Sequence, residues 1–168
     1  AYVAEPAWAT NAAGVKFHNR YGFGGIDAAA AVALAKTTTA SSLGTFVETN
    51  WLGSGAVSLP IADNSIAGAS STISETSNLQ IEAVRIRIDV THPSAGDLGV
   101  ELISPSGTRS VLFTIRGGFS SSDDLKMELM SNMFYDENST GTWTLKVVDG
   151  KTPDGGTLNE WSIKIYGH

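Results

Sequence analysis

His92-Pro-Ser-Ala-Gly-Asp-Leu-Gly-Val-Glu-Leu-Ile-Ser-Pro-Ser-Gly-Thr108 reads as one strand between two turns. Leu98, Val100 and Leu102 alternate with Gly99 and Glu101, the two-residue period of a half-buried strand. Ala95-Gly96-Asp97 turns the chain before it. Ser104-Pro105-Ser106-Gly107 turns it after, with Pro105 suited to the second turn position and Gly107 near its end. Two later stretches repeat the period, Gly141 to Asp149 through Trp143, Leu145 and Val147, and Gly156 to Ile165 through Trp161, Ile163 and Ile165. Three amphipathic strands with apolar faces imply a sheet packed on a second layer.

The rest of the chain extends that pattern. Leu79 to Thr91 places Val84, Ile86, Ile88 and Val90 on one face and Arg85, Arg87 and Asp89 on the other. Ile81 and Ala83 are out of phase, which predicts a bulge near Ala83-Val84. Further strands are expected at Thr45–Trp51, Ala56–Ile61, Ala69–Ser74 and Arg109–Ile115, the last ending at Gly117-Gly118. Asp63-Asn64-Ser65 supplies a turn. Residues 119–140 hold the polar stretches Ser120 to Asp124 and Asp136 to Ser139 around Met127 to Tyr135. They read as a long crossover between sheets with a short strand of its own. The fold class is all-β, a jelly-roll or Greek-key sandwich of about eight strands preceded by a short N-terminal helix.

That helix follows a loop, Asn19-Arg-Tyr-Gly-Phe-Gly-Gly25, and starts at Asp27 as N-cap. Ala28 to Ala35 are good helix formers and apolar nearly all round, with Lys36 placed for the C-terminal dipole end. Helices under about 12–15 residues are marginal alone, so this one needs a partner surface. A membrane span takes about 20 apolar residues. Lys16 and Arg20 before the apolar run mimic a signal peptide, but Asp27 and the aromatic loop break that pattern. The run reads as a helix cut from a larger body, and Thr37 to Gly44 as a linker.

The 168 residues suffice for one main domain and a core without staples. No cysteine is present, so disulfides, thiolate zinc sites and cysteine nucleophiles are excluded together. The net charge of −6, with eleven scattered basic residues, argues against nucleic acid. The 18 glycines with many Ser and Thr suit a turn-rich β protein.

Catalytic chemistry finds little support. His18, His92 and His168 are the histidine bases on offer, with no Gly-x-Ser-x-Gly and no subtilisin signature beside them. His92, before a turn, reads as a structural hydrogen-bonding residue. Asp97, Asp123, Asp149 and Glu160 cannot be paired as glycosidase carboxylates from sequence. Asp63, Asp97 and Asp149, with Asp154, fall at strand ends and are the calcium candidates, against the plainer reading of solvated turn carboxylates. No cofactor is required. Trp143 and Trp161 lie on apolar strand phases and read as core rather than as a sugar platform.

In order and spacing, His92-x-x-x-Gly96-Asp97-Leu98, Ser104-Pro105-x-Gly107-Thr108, Gly141-Thr142-Trp143-Thr144-Leu145 and Gly156-Thr157-Leu158-Asn159-x-Trp161 resemble the P domain (Homo B domain) of kexin- and furin-like subtilisins. Trp8, Asn11-Ala-Ala-Gly14, Phe17-His-Asn-Arg-Tyr-Gly-Phe-Gly24 and the Asp27 helix are similar to the end of that family's catalytic domain, downstream of its catalytic serine. The resemblance implies a division into 1–36, the catalytic-domain tail, 37–48, a linker, and 49–168, the P-domain sandwich. It implies a non-catalytic piece of a secreted, bacterial-looking serine endopeptidase, whose sandwich packs on the catalytic domain and supports its folding, stability and calcium or pH response. Where mammalian relatives often carry Arg-Gly-Asp, this chain has Ala95-Gly96-Asp97. The expected partner is the chain's own catalytic domain, not nucleic acid or membrane. Without it, Phe17, Tyr21, Phe23 and Ile26 should lose their packing, and residues 1–36 should be mobile, folded back on the sandwich, or exchanged with a second copy. A free-standing jelly-roll module for carbohydrate or a surface partner is the rival reading.

Overall fold

The computed structural model describes residues 7–39, 44–115 and 124–168. Gly117-Gly118, Ser120 to Asp123 of the crossover, residues 1–6 and residues 40–43 of the linker lie outside the described residues. Two short strands, β1 (Ala9–Thr10) and β2 (Lys16–Phe17), pair as a hairpin ahead of helix α1 (Ala28–Ala35). The sandwich follows as β3 (Val47–Glu48), β4 (Leu52–Gly53), β5 (Leu59–Ile61), β6 (Ser65–Glu75), β7 (Ile81–Thr91), β8 (Leu98–Ile103), β9 (Arg109–Phe113), β10 (Leu125–Ser131), β11 (Gly141–Asp149) and β12 (Gly156–Gly167).

One sheet runs β6-β11-β8-β9 and the other β10-β7-β12, with β3, β4 and β5 each pairing part of β12 on its far edge. All pairings are antiparallel. From β5 onward the chain changes sheet at every connection except the β8–β9 hairpin. The crossover after β9 therefore does pass between sheets, although its strand is Leu125–Ser131 rather than a run reaching Tyr135. Each layer presents one apolar face inward. Ile88 opposes Trp161, Ile86 opposes Ile163 and Val84 opposes Ile165 in one sheet. Trp143 opposes Ile73, and Leu145 and Val147 oppose Leu102 and Val100, in the other. These residues form a single buried cluster, and each fully buried Leu, Ile or Val contributes about 1.5–3 kcal/mol.

The bulge falls one residue before the expected place. Tyr166 pairs Ala83 and Gly167 pairs Ile81, so Glu82 is the extra residue. That insertion turns both Ile81 and Val84 inward and accounts for the phase change. The half-buried reading of Leu98 to Leu102 is corrected: Gly99 and Glu101 are buried too. The strand sits inside its sheet between β11 and β9, and Glu101 is held there by an ion pair with Arg109. The expected strands at Thr45–Trp51 and Ala56–Ile61 shrink to β3 and β5, with β4 an additional pair of residues between them, and each piece meets only a few residues of β12.

α1 begins as expected, with Asp27 Oδ1 accepting the Ala30 N–H at 2.9 Å. None of its residues is buried.

Candidate interdomain site

The N-terminal hairpin reaches the sandwich through its tip. The Asn11 N–H donates to Val15 O at 3.0 Å, the Gly14 N–H to Asn11 O at 3.0 Å and the Val15 N–H to Asn11 Oδ1 at 2.8 Å. Gly14 has φ +84°, a left-handed value that strains any residue with a Cβ. The closed turn leaves Asn11 Nδ2 outward, where it donates to Met133 O at 3.0 Å and Tyr135 O at 2.7 Å. The next backbone N–H, of Ala12, donates to Thr108 Oγ1 and Glu137 Oε1, both at 3.0 Å.

Glu137 is 3% exposed and is the centre of this contact. Its backbone is fixed by the Glu137 N–H to Phe134 O bond at 3.1 Å and by the Ile81 N–H donating to its carbonyl at 2.9 Å. Phe134 in turn packs edge-on against Trp143 with centroids 5.0 Å apart. The carboxylate accepts from the Ser104 hydroxyl at 2.7 Å, from the Thr108 hydroxyl and from Ala12. Ser104 and Thr108 are the two ends of the Ser104-Pro-Ser-Gly-Thr108 turn, closed by the Ser104 N–H to Thr108 O bond at 2.9 Å. The turn legible in sequence therefore presents two hydroxyls to a buried carboxylate. Glu137 was not singled out by sequence, since it sits in an aperiodic polar run and only its burial distinguishes it.

Beyond the tip the segment turns its apolar groups outward. Phe17 packs edge-on against Phe23, and Phe23 against Tyr135, each with centroids 5.3 Å apart. Trp8 lies beside His18 and Tyr21. Tyr21 and Phe23 are nonetheless exposed, Ile26 is 92% exposed, and Val32 and Leu34 of α1 face solvent. Of this segment, residues 11–23 fold back on the sandwich, whereas α1 buries none of its residues. Next to Phe23 a groove of about 890 Å³ is lined by Phe46, Met130, Tyr135 and Tyr166, with Glu82, Arg85 and Glu128 among its polar groups.

The strand-end aspartates occupy different settings. Asp149 and His92 are both buried, with Nε2 3.4 Å from Asp149 Oδ2. His92 Nδ1 accepts the Ser94 N–H at 3.0 Å, which puts the ring proton on Nε2, facing that carboxylate. Asp149 Oδ1 accepts the Lys151 N–H two residues on at 2.9 Å, so this aspartate forms a turn but, being buried, is not solvated. Asp97 lies 3.3 Å from Lys151 Nζ, and its carbonyl accepts the Gly150 N–H at 2.9 Å. A Cβ at Gly156 would lie 2.6 Å from His92 Cδ2 and 2.7 Å from Thr91 O, so the two motifs meet in one joint that only glycine permits. Asp63 is exposed at the β5–β6 turn and Asp154 half-buried. Among the described residues no three His, Asp or Glu side chains converge on a point a cation could occupy. His18 Nδ1 accepts the Arg20 N–H, and the His168 ring meets Glu82 and Gln80. Trp143 and Trp161 are core residues, donating to Ser139 O and Ser71 Oγ at 2.9 Å each.

Arg87 and Lys164 flank the Trp51 ring on the outer face of the β12 sheet, with Arg87 Cζ 4.0 Å from the ring centre. Nearby, burial pushes the Asp89 carboxyl up, but the hydrogen bonds from Asn159 and Lys126 and the Lys126 charge outweigh it and hold it below its ordinary value. The Lys126 ammonium is raised by its hydrogen bond to Asp89 and by that charge.

A two-layer antiparallel β-sandwich with these turn motifs, and an N-terminal hairpin bonded to its side, is the class of domain the fold defines. The model of the proprotein convertase P-domain matches residues 81–165, and the chain belongs to that family. Over 95% of its length it is 40% identical to proprotein convertase subtilisin/kexin type 5 of Homo sapiens, and over 96% it is 33% identical to the extracellular serine protease of Aeromonas sobria. A crystal structure of the Aeromonas sobria serine protease in complex with a chaperone superposes with a TM-score of 0.86 at 30% identity, covering 96% of this chain. The chain spans 9% of that convertase and 32% of that protease. It thus corresponds to one region within much longer protease chains.

Proposed function

We propose that this chain is the non-catalytic P domain, joined to the last piece of the catalytic domain, of a secreted subtilisin/kexin-like serine endopeptidase. Its role is to pack on that catalytic domain and stabilise it. The boundaries proposed are 1–36 for the catalytic-domain tail, 37–48 for the linker and 49–168 for the sandwich. The observation that carries the reading is α1. An apolar helix that buries none of its residues adjoins a hairpin fastened to the sandwich, so this chain presents an exposed apolar face beside the joint between the two proposed domains. The occupant of that face is the rest of a protease chain, since the matched Aeromonas structure has this region as 33% of one longer chain. Docking then stabilises by mass action, because the sandwich binds only the folded partner. A secreted setting is supported by the extracellular relative, and no described helix is long and apolar enough to cross a membrane.

The test is thermal unfolding of the parent catalytic domain, ending at Lys36, with and without residues 37–168 fused or added. A large rise in Tm with recovered peptidase activity is expected. No shift in a catalytic domain already stable and active alone would overturn the reading. The second reading, a binding module, draws on the groove beside Phe46 and Tyr135. It would then be pursued with glycan and surface-ligand screens.

A further inference from the structure

We infer that the sandwich carries a peptide-binding site for an asparagine-led turn, and that this site, rather than the covalent linker, holds residues 7–39 in place. The inference deepens the docking reading above and rests on it for its meaning, but the interface lies wholly within this chain.

The site is built for one chemistry. Met133 O and Tyr135 O are two acceptors placed around a single nitrogen, Asn11 Nδ2. A primary carboxamide meets both. A carboxylate of the same shape would set oxygens against them, and alanine would leave both carbonyls without their donor. The second reader is the Glu137 carboxylate, which takes the following backbone N–H together with Thr108 Oγ1. A proline after the asparagine would remove that donor. The turn carrying these groups is closed by its own three hydrogen bonds, so it meets the site already shaped.

The contact is also long-range. The partners of Asn11 are 122 and 124 residues away in sequence. Phe23 against Tyr135, and the Asn19 Nδ2 to Val111 O bond at 3.5 Å, extend it along the same side. Among residues 7–39 the buried one is Asn11, and it is polar. Recognition here rests on matched hydrogen bonds, with α1 contributing no buried residue.

The consequence is that scission between Thr39 and Gly44 should leave the two pieces bound. The experiment replaces residues 40–43 of the full chain with a specific protease sequence, cuts it, and follows the fragments by gel filtration and sedimentation over a micromolar concentration series. The parent fragments are expected to co-migrate. Asn11→Ala and Asn11→Asp should each weaken their association at least about tenfold, since both lose the bonds to Met133 O and Tyr135 O, alanine also loses the turn-closing bond from the Val15 N–H, and aspartate sets an oxygen against both carbonyls. Leu34→Ser in α1 should leave it within about twofold. Near-UV circular dichroism of each uncut variant checks that the sandwich is folded. Separation of the parent fragments around a folded sandwich would overturn the inference, as would an Asn11→Ala complex as tight as the parent. Either result leaves the Tm test of the catalytic domain standing. Conversely, a bound nicked pair with no Tm effect on that domain would remove the stabiliser reading and keep the binding site.

Discussion

The sandwich and the N-terminal segment are both rich in apolar residues and use them in opposite ways. Among the described residues, every buried apolar side chain lies between Ile61 and Ile165. In residues 7–39 the buried side chain is Asn11, while Ile26, Val32 and Leu34 face solvent. One region is held together by area removed from water, the other is fastened by a few directed hydrogen bonds. The difference teaches that apolar content alone does not say where a core is. The sandwich closes its apolar faces on each other, whereas α1 has no facing layer among the described residues.

The sharpest break in that contrast comes from the core. Trp143→Ala removes a fully buried ring that packs on Phe134, and should lower the stability of the sandwich by about 3–5 kcal/mol in denaturant unfolding. Glu137→Ala should cost about 3 kcal/mol, because the Ser104 and Thr108 hydroxyls and the Ala12 N–H lose their acceptor. Hydrogen exchange would show residues 9–17 loosening beyond the global change. Gly156→Ala forces a methyl group against the His92 ring and Thr91 O, with an expected loss of about 2 kcal/mol in the same unfolding assay.

Smaller effects probe the exposed region. Val32→Ser with Leu34→Ser should change the stability of this chain by less than about 0.5 kcal/mol, since neither side chain is buried. The same pair in the full protease should lower its Tm clearly if α1 belongs to the catalytic domain. The last effect is electrostatic. The Asp89 carboxyl is lowered in the folded state, so its contribution is present above its unfolded value of about 4 and is lost as pH falls through the folded value. Asp89→Asn should therefore lower stability slightly at neutral pH, by less than about 1 kcal/mol, and the two stability–pH curves should converge as pH falls below about 4, which flattens the acid limb of the variant.

Local chemistry was legible wherever a short-range rule decides the outcome. The alternation of Val84, Ile86, Ile88 and Val90 marks a strand because side chains alternate across a pleat. Asp27 caps α1 because its carboxylate reaches a backbone N–H three residues on. The Ser104 to Thr108 turn closes as its Pro and Gly suggest. The motifs around His92, Asp97 and Gly156 were visible as spacings, but that they form one joint beside buried Asp149 was not, since they come from different strands. Glu101 shows the limit from the other side. A charge on a strand's second face reads as solvent-facing until a neighbouring strand covers it and supplies Arg109, whose own side chain stays exposed while Glu101 is buried.

What the sequence by itself determined is the all-β class, the principal strands and their inward faces, the helix cap, and membership in a family with these turn motifs. Those follow from periodicity, capping and turn preference, all set by residues within a few positions of one another. The tertiary structure alone decided which sheet each strand joins, that Glu137 is the buried acceptor at the centre of the contact, and that Asn11 is the side chain it helps to hold. Those depend on groups from tens to more than a hundred residues apart, which meet as hydrogen-bond partners only once the chain has folded.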